Sequence, residues 1–126
     1  MTVFHANAVQ LAQGNPFFHQ VLMTGKLQVL AVSLEPHEDI GAAAFPCDQA
    51  YWIAEGTGEL FTRGGYERVA DGDLIVVPAG EWHNLANTRE APMKALVLCA
   101  PPLLTRGTTH RTKAEARHFL AESPEG

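Results

Sequence analysis

The sequence has little of what marks several large classes of protein. Its 126 residues carry nine basic side chains against 14 acidic ones, with no basic cluster. A protein that binds a nucleic-acid backbone needs such a cluster, so nucleic acid is not expected as a partner. No apolar run approaches the roughly 18 residues of a membrane helix. The first ten residues lack the basic start and apolar middle of a signal peptide. We therefore expect a cytoplasmic protein with no membrane partner.

Cysteine is also scarce. Cys47 and Cys99 are the two cysteines, and their separation matches none of the paired spacings of zinc sites. Reduced thiols are the expectation for a cytoplasmic chain. The remaining composition, 46% apolar and 18% charged, is that of an ordinary globular protein. The length fits one domain with one core, so we predict a single domain over residues 1–126.

Short apolar runs, broken by glycine and proline, dominate the chain. They are about 5–8 residues long, rich in Val, Leu, Ile and aromatic residues, and they end at turn residues, which is typical of strands. The Gly64-Gly65 pair between two such runs predicts a tight hairpin. About seven or eight runs, with no helical pattern between them, predict an all-β antiparallel sandwich or barrel with a core over about residues 17–100.

Only the tail has the pattern of a helix. Thr112 and Glu115 have the spacing of a capping box, in which each side chain accepts a hydrogen bond from a first-turn amide of the other. Ala116, Phe119 and Leu120 then fall on one apolar stripe that can dock on a barrel. The spacing predicts a short C-terminal helix over about residues 113–121.

One motif predicts a defined geometry around a histidine. It consists of Gly72, Pro78, Gly80, His83 and Asn87, separated by five, one, two and three residues. Gly72 permits a turn with positive φ, Pro78 can end a strand where no backbone donor is needed, and Gly80 allows a tight reversal. The motif therefore predicts strand, turn and strand, with the imidazole held at the start of the second strand.

This motif resembles, at all five positions, the second motif of the cupins, which are small double-stranded β-helix (jelly-roll) barrels. The stretches NPFFHQVLMTG, EDIG, EGTGE and THRTKAEA further resemble short single-domain cupins that are often described as mannose-6-phosphate-isomerase-like. The resemblance covers roughly residues 15–118. It implies a barrel that is commonly paired into a homodimer, with a small-molecule pocket in the barrel mouth.

The resemblance also implies where a metal would be held. Cupins usually bind a divalent ion, such as Zn, Mn, Fe or Ni, through two histidines and a glutamate of a first motif and the histidine of the second. Here the glutamate position falls on Gln49. The histidine positions fall on Ala42 and Ala44, or on Ala43 and Phe45 with the gap on the other side. Since a catalytic divalent metal needs at least three protein ligands, we expect no metal or a weakly bound one.

A rebuilt metal site is the alternative that this departure leaves open. Cys47 lies two residues before Gln49 and is the best substitute, so the candidate ligands are His83, Gln49 and Cys47. The other histidines are scattered along the chain, although one of them falls where the tail could cross the barrel mouth: these are His5, His19, His37, His118 and, at the mouth, His110.

The residues around the expected metal position instead favour a ligand pocket. Residues 42–45 are Ala, Ala, Ala and Phe, which predicts an apolar wall that includes Phe45. Gln49 and Tyr51 share one face of a strand, because they are two residues apart. With His83 they would be the few polar groups that orient a ligand. The first hypothesis is therefore a small-molecule-binding cupin with a degenerate metal site, whose ligand the sequence does not name.

The second hypothesis is a cupin enzyme of the isomerase, lyase or dioxygenase type. His83 would be its catalytic residue, either as a ligand of the rebuilt metal site or as a metal-free general base. Sugar-phosphate chemistry is disfavoured, because no cluster of Arg or Lys falls on the strands expected to line the pocket. A DNA-binding regulator is disfavoured too, because a helix-turn-helix does not fit beside the barrel in this length.

The opposite face of the same strand carries Ala50 and Trp52, and it needs a cover. A subunit interface is one cover, and tryptophan suits it. Packing within the monomer is the other.

Overall fold

The computed structural model describes residues 3–116. Within that range the complete elements are one helix, α1 (Ala8–Gln13), and nine strands: β1 (His19–Thr24), β2 (Gln28–Leu34), β3 (Asp48–Glu55), β4 (Thr57–Thr62), β5 (Gly65–Ala70), β6 (Leu74–Val77), β7 (His83–Asn87), β8 (Met93–Ala100) and β9 (Thr109–His110). A second helix begins at residue 113. Strands β1 to β8 coincide, to within about two residues, with the apolar runs of the sequence. The predicted hairpin is present, since Thr62 pairs with Gly65, but its two turn residues are Arg63 and Gly64, one position earlier than the predicted Gly64-Gly65 pair.

The strands form two antiparallel sheets that enclose one main core. The larger sheet has the order β6-β3-β8-β2-β1-β9, and the smaller has the order β5-β4-β7. Residues 39–43 run beside β7 through two isolated bridges, Asp39 with Ala86 and Ala43 with His83, and so widen the smaller sheet. Inward-facing side chains of both sheets fill the core. This arrangement confirms the all-β prediction.

The motif before His83 has the geometry that its spacing predicts. Gly72 and Gly80 have φ of 89° and 86°, in the left-handed region that favours glycine. Strand β6 ends at the residue before Pro78, and His83 is the first residue of β7. Asn87 has a local structural role, since its side chain accepts a 3.0 Å hydrogen bond from the backbone two residues on and donates to backbone carbonyls of neighbouring loops.

Helix α1 was missed by the sequence analysis, and it covers part of the outer face of the larger sheet. The Asn7 side chain caps its start by accepting a 3.0 Å hydrogen bond from a first-turn amide. Ala12 is fully buried and belongs to a cluster with Ala31 and Leu96, against which Trp52 packs. Packing within the monomer, one of the two alternatives for that face, is therefore observed. Six residues make fewer than two turns, too few for a helical period to be recognised.

The C-terminal helix begins inside the described range, at residue 113. The Glu115 backbone N–H donates a 3.2 Å hydrogen bond to the Thr112 hydroxyl, as in a capping box. The Glu115 carboxylate accepts from the Arg111 backbone, one residue earlier than the standard pattern, at 2.7 Å. Residues 117–121 of the predicted helix lie outside the described residues. Over 3–116, no helix is long and apolar enough to cross a membrane.

Candidate functional site

A cavity of about 40 Å³ lies between the larger sheet, the 39–45 segment and the chain that follows β8. A water molecule needs roughly 10–15 Å³ on this scale, so there is room for a few waters or a very small ligand. Among the residues that the structure describes, no Asp, Glu, Lys or Arg lines the cavity. Its walls are mostly apolar and include Leu30, Val32, Ile40, Val97, Leu103 and Leu104.

Gln49 and Tyr51 reach the cavity because successive side chains of strand β3 point to opposite faces of the sheet. Both side chains point inward and are almost fully buried, and both line the cavity together with Phe45. Their neighbours on β8 are Cys99, opposite Gln49, and Val97, opposite Tyr51. The structure therefore brings together three of the four ligand-binding candidates, Gln49, Tyr51 and Phe45, at one cavity.

The fourth candidate, His83, lies beside the cavity and does not line it. Its side chain is 1% exposed, and its ring makes edge contacts with the rings of Phe45 and Tyr51, at centroid distances of 5.6 Å in both cases. The His83 Nδ1 atom lies 3.1 Å from the carbonyl oxygen of Glu81, and Nε2 lies 2.9 Å from the Tyr51 hydroxyl. Tyr51 thus stands between this imidazole and the space that a ligand could occupy.

The proton positions in this network follow from counting donors. A carbonyl oxygen only accepts, so His83 Nδ1 carries the proton and donates to Glu81. Nε2 then has the lone pair, and the single Tyr51 hydroxyl proton is donated to it. The Gln49 amide, 3.2 Å from that hydroxyl, must therefore turn its NH₂ group toward the tyrosine oxygen, which the similar shape of its two ends permits. A charged imidazolium is disfavoured, because burial lowers the pKa of His83.

The two cysteines extend this network to the other side of Gln49. The Cys99 sulfur lies 3.8 Å from the end of the Gln49 amide that points away from Tyr51, which the same assignment makes the carbonyl oxygen, and the two thiols are hydrogen-bonded to each other. Burial raises the pKa of Cys99 to about 12 and also raises the pKa of Cys47. Since the thiolate is the form that binds metals and attacks substrates, both cysteines are poor ligands and poor nucleophiles at neutral pH.

The structure shows which residues of the 42–45 segment face the interior. Ala43 pairs directly with His83, and both backbone hydrogen bonds between them are formed, at 3.0 and 3.1 Å. Ala42 and Ala44 are exposed, whereas Ala43 and Phe45 alternate with them and are partly buried. The positions that face the interior are therefore Ala43 and Phe45, and neither side chain has a donor atom.

The donor set at this position does not fit a divalent metal. The lone pair of His83 Nε2 accepts the hydrogen bond from Tyr51, and Cys47 is protonated and hydrogen-bonded to Cys99. Over residues 3–116, no group of three or more His, Cys, Asp or Glu is placed to hold a metal ion. A catalytic metal site keeps three protein ligands, usually imidazole or carboxylate, and the residues here supply at most one imidazole.

A pairing that sequence analysis missed places two more histidines at the cavity. His19 of β1 and His110 of β9 are directly opposed across the strand pair, both line the cavity, and their Nδ1 atoms are 3.2 Å apart. Burial, with a smaller effect of the neighbouring His110, lowers the pKa of His19 to about 4. Burial also lowers the pKa of His110, opposed by Glu115. Both rings are therefore neutral at pH 7.

An ion pair ties the C-terminal segment across this end of the barrel. The Lys113 ammonium lies 2.6 Å from a carboxylate oxygen of Asp39, which also accepts a 2.7 Å hydrogen bond from the Gly41 backbone. Asp39 thereby links the C-terminal segment to the 39–45 segment. Ala116, which is 2% exposed, lines both the cavity and a shallower cleft of about 120 Å³ between these two segments.

A buried glutamine positions the loop that forms another wall. Gln28 is fully buried, and its side-chain oxygen accepts 3.0 Å hydrogen bonds from the backbones of Leu103 and Leu104. Its amide nitrogen donates to the Leu104 carbonyl at 2.6 Å. Leu103 and Leu104 are held against the cavity by these bonds. No pattern in the sequence identified Gln28, because a polar residue in a strand usually faces solvent.

Comparison with known proteins places this geometry in a family. The model of the family described as "Cupin domain" matches residues 30–99. The chain is 39% identical over 125 residues to the uncharacterized protein YrkC of Bacillus subtilis, covering 90% of this chain and 65% of that protein. It therefore spans just under two thirds of that relative's length.

Two solved structures show the same fold at different degrees of similarity. BH2720 from Bacillus halodurans has a TM-score of 0.88 and 36% identity, covering 91% of this chain and 93% of that one. A structure named sugar phosphate isomerase from a cupin superfamily, from Silicibacter pomeroyi, has a TM-score of 0.58 and 26% identity, covering 62% and 52%. The jelly-roll, double-stranded β-helix prediction is thereby confirmed.

Proposed function

The chain belongs to the cupin domain family, and from that premise we propose that it binds a small, uncharged, largely apolar molecule in the cavity beside Tyr51. The observation that carries this proposal is the lining of the cavity. Apolar walls surround a few polar groups, Gln49, Tyr51, His19 and His110, and no charged side chain of residues 3–116 is among them. A charged ligand would have no charged partner in this lining, so an uncharged ligand is favoured. Hydrogen bonds to the polar groups would fix the orientation of that ligand.

We also propose that no metal binds at the position where cupins usually hold one. Its support is the replacement of the first-motif histidines by Ala43 and Phe45, together with the engagement of His83 by Tyr51. On this proposal, the chain shares the fold of the short mannose-6-phosphate-isomerase-like cupins and does not share a sugar-phosphate substrate. A phosphate group needs Arg, Lys or a helix N-terminus to meet it, and the lining residues that the structure describes include none of these.

The cavity can be tested by filling it. We expect Val97→Phe, which enlarges a side chain of the cavity wall, to abolish binding of xenon, an apolar probe small enough for a space of about 40 Å³. Val9→Phe is the matched control, since Val9 lies on helix α1, outside the core, and is 41% exposed. Native mass spectrometry of the purified chain would show whether an apolar molecule is retained. Equal probe binding by both variants would refute the cavity as the site.

A cupin enzyme remains the second candidate, and one observation favours it. The Tyr51 hydroxyl lines the cavity and donates to neutral His83, so a proton can pass from a ligand group through Tyr51 to the imidazole. His83→Gln keeps a hydrogen-bond acceptor near Tyr51 and removes the base. Loss of a turnover with retained probe binding would favour the enzyme. Metal analysis of chelator-treated protein, before and after adding Zn, Mn, Fe or Ni, distinguishes a metal-dependent from a metal-free version.

We also propose that the chain forms a homodimer through strand β6. This strand is an edge of the larger sheet, and its outward side chains Leu74 and Val76 are 66% and 65% exposed. They lie beside Trp52 and Ala50 of the neighbouring strand. Antiparallel pairing of β6 with its copy would cover this apolar strip about a twofold axis and remove the unpaired edge.

A further inference from the structure

We propose that the molecule bound in the cavity is a small carbonyl compound, a ketone or an aldehyde, whose oxygen accepts a hydrogen bond from the side-chain amide of Gln49. This inference rests on the proposed function, since it names the class of molecule for the same cavity. It comes from the direction of the buried hydrogen bonds around Gln49, which leaves a donor rather than an acceptor at the cavity wall.

The buried hydrogen bonds on one side of Gln49 all run in the same direction. The Glu81 carbonyl only accepts, so the His83 ring donates to it, and the Tyr51 hydroxyl donates to the other ring nitrogen of His83. The proton of that hydroxyl is thereby used, so the Tyr51 oxygen accepts from the NH₂ group of Gln49, at 3.2 Å.

The same direction continues on the other side of Gln49, toward the two cysteines. The carbonyl end of the Gln49 amide faces the Cys99 sulfur, so the Cys99 thiol is the donor of that hydrogen bond. Both thiols are protonated, because burial raises their pKa values, and Cys47 is then the donor in its hydrogen bond with Cys99. Every acceptor along this chain of bonds, from the Cys99 sulfur to the Glu81 carbonyl, therefore already receives a hydrogen bond.

One donor of Gln49 is left over. An amide NH₂ group carries two hydrogens, and the bond to Tyr51 uses one of them. Within residues 3–116, Gln49 makes no hydrogen bond besides those to Tyr51 and Cys99. Its side chain is almost fully buried, yet it lines the cavity. A buried N–H without a partner destabilises the folded protein, so a ligand that accepts from it is stabilised by the new hydrogen bond.

The size and lining of the cavity narrow the class of ligand. A space of about 40 Å³ holds roughly three or four waters, and so a molecule with about as many non-hydrogen atoms. No charged side chain of the described residues lines it, which disfavours a carboxylate as the acceptor. The remaining polar residues of the lining, His19 and His110, are bonded to each other. An alcohol would add a proton to a network whose acceptors are already engaged, whereas a ketone or aldehyde brings an acceptor alone.

The experiment compares acetone with isopropanol, which has the same non-hydrogen skeleton, by NMR titration of the isotope-labelled full chain. We expect acetone to bind roughly tenfold more tightly, the effect of one hydrogen bond. Gln49→Met keeps the length of the side chain and removes the donor, so it should weaken acetone binding by a similar factor and leave xenon binding in place. Gln10→Met is the matched control, since Gln10 is exposed on helix α1, and it should change neither.

The outcomes separate this inference from the proposed function. Suppose that xenon binds, but acetone and isopropanol bind equally well, or acetone binds Gln49→Met as tightly as the wild-type chain. Either result would overturn the carbonyl class and leave the cavity as a binding site for another small molecule. Failure of xenon to enter the wild-type chain would overturn both.

A second measurement uses the unaltered protein, so it stands even where Gln49→Met fails to fold. The side-chain NH₂ protons of Gln49 should show nuclear Overhauser effects to the ring of Tyr51 and, once acetone is added, to the acetone methyl protons. Effects between acetone and other cavity residues without one to Gln49 would overturn the proposed hydrogen bond.

Discussion

Tyr51 is the residue on which the buried polar network depends. Among the network residues within 3–116, it alone touches both the cavity and His83, and its hydroxyl also meets Gln49. Removing that hydroxyl leaves the His83 lone pair and one Gln49 donor without partners, in a region closed to bulk water. A buried polar group without a partner destabilises the native state more than the average hydrogen bond stabilises it.

Tyr51→Phe should therefore lower the free energy of unfolding by roughly 1–3 kcal/mol, measured by urea denaturation. Tyr66→Phe removes the same atom from a tyrosine that is 71% exposed, and should change stability by less than about 0.5 kcal/mol. Equal changes in the free energy of unfolding for the two substitutions would show that Tyr51 does not make these hydrogen bonds in solution.

The histidine pair predicts a pH dependence of stability. An unfolded His19 titrates near 6.5 and the folded one at about 4, so between these values the unfolded chain binds more protons. The contribution of His19 to the free energy of unfolding is therefore complete above about pH 6.5. It is lost as the pH falls to about 4, for a total of roughly 3 kcal/mol. His110 acts in the same direction, since its pKa is also lowered.

The measurement is the urea midpoint at several pH values between 7 and 4, for the wild-type chain and for His19→Gln. Carboxylates titrate in both proteins, so their effect cancels in the difference. The stability advantage of the wild-type chain over the variant should shrink on acidification. A difference that is independent of pH would contradict the buried, neutral state assigned to His19.

At the scale of elements, strand β4 depends on the absence of a side chain at one position. A Cβ atom on Gly58 would collide with the backbone oxygen of Ala86 and with the end of the Met93 side chain. Gly58→Ala should lower the free energy of unfolding by roughly 1–3 kcal/mol or more, because the backbone contact cannot relax without separating β4 from β7. Gly64→Ala, where the nearest atom is 3.9 Å away, is the control and should be nearly neutral.

The Lys113–Asp39 ion pair is one of the contacts that hold the C-terminal segment in place. Lys113→Met keeps the aliphatic length and removes the charge that meets Asp39. We expect amide exchange in residues 108–116 to accelerate, and an apolar probe to reach the cavity faster, because the segment is then held mainly by Ala116 and its strand pairing. The exposed Lys26→Met, in the turn between β1 and β2, should change neither rate. Unchanged exchange in Lys113→Met would show that the ion pair does not hold the segment.

At the scale of the whole molecule, the exposed strip on β6 predicts the state of association. Leu74→Lys should convert a dimer into a monomer in size-exclusion chromatography with light scattering, because a charge cannot be buried there without a partner. Leu27→Lys changes the same residue type at a site that is 43% exposed in a turn, and should leave the mass unchanged. A monomeric wild-type chain would contradict the proposed interface directly.

The sequence predicted the local parts of this molecule well. Strands β1 to β8, the hairpin at Gly64 and the corner before His83 follow from alternation and from turn residues, which act over a few neighbouring positions. Helix α1 and strand β9 were missed, because six and two residues are too short to show a period. Strand parity placed Gln49 and Tyr51 on one face, and the resemblance to cupins identified that face as the pocket side. The Cys47–Gln49–His83 ligand set stayed a prediction that the donor geometry does not favour.

What the sequence determined by itself was the fold and the inward-facing residues, since periodicity and turn chemistry are local properties of the chain. Only the tertiary structure decided which of those residues meet. It joined His19 to His110, which are 91 positions apart, and placed Tyr51 between His83 and the cavity. The order of strands and the closure of the barrel fix such distances, because they depend on long-range packing that no short stretch of residues encodes.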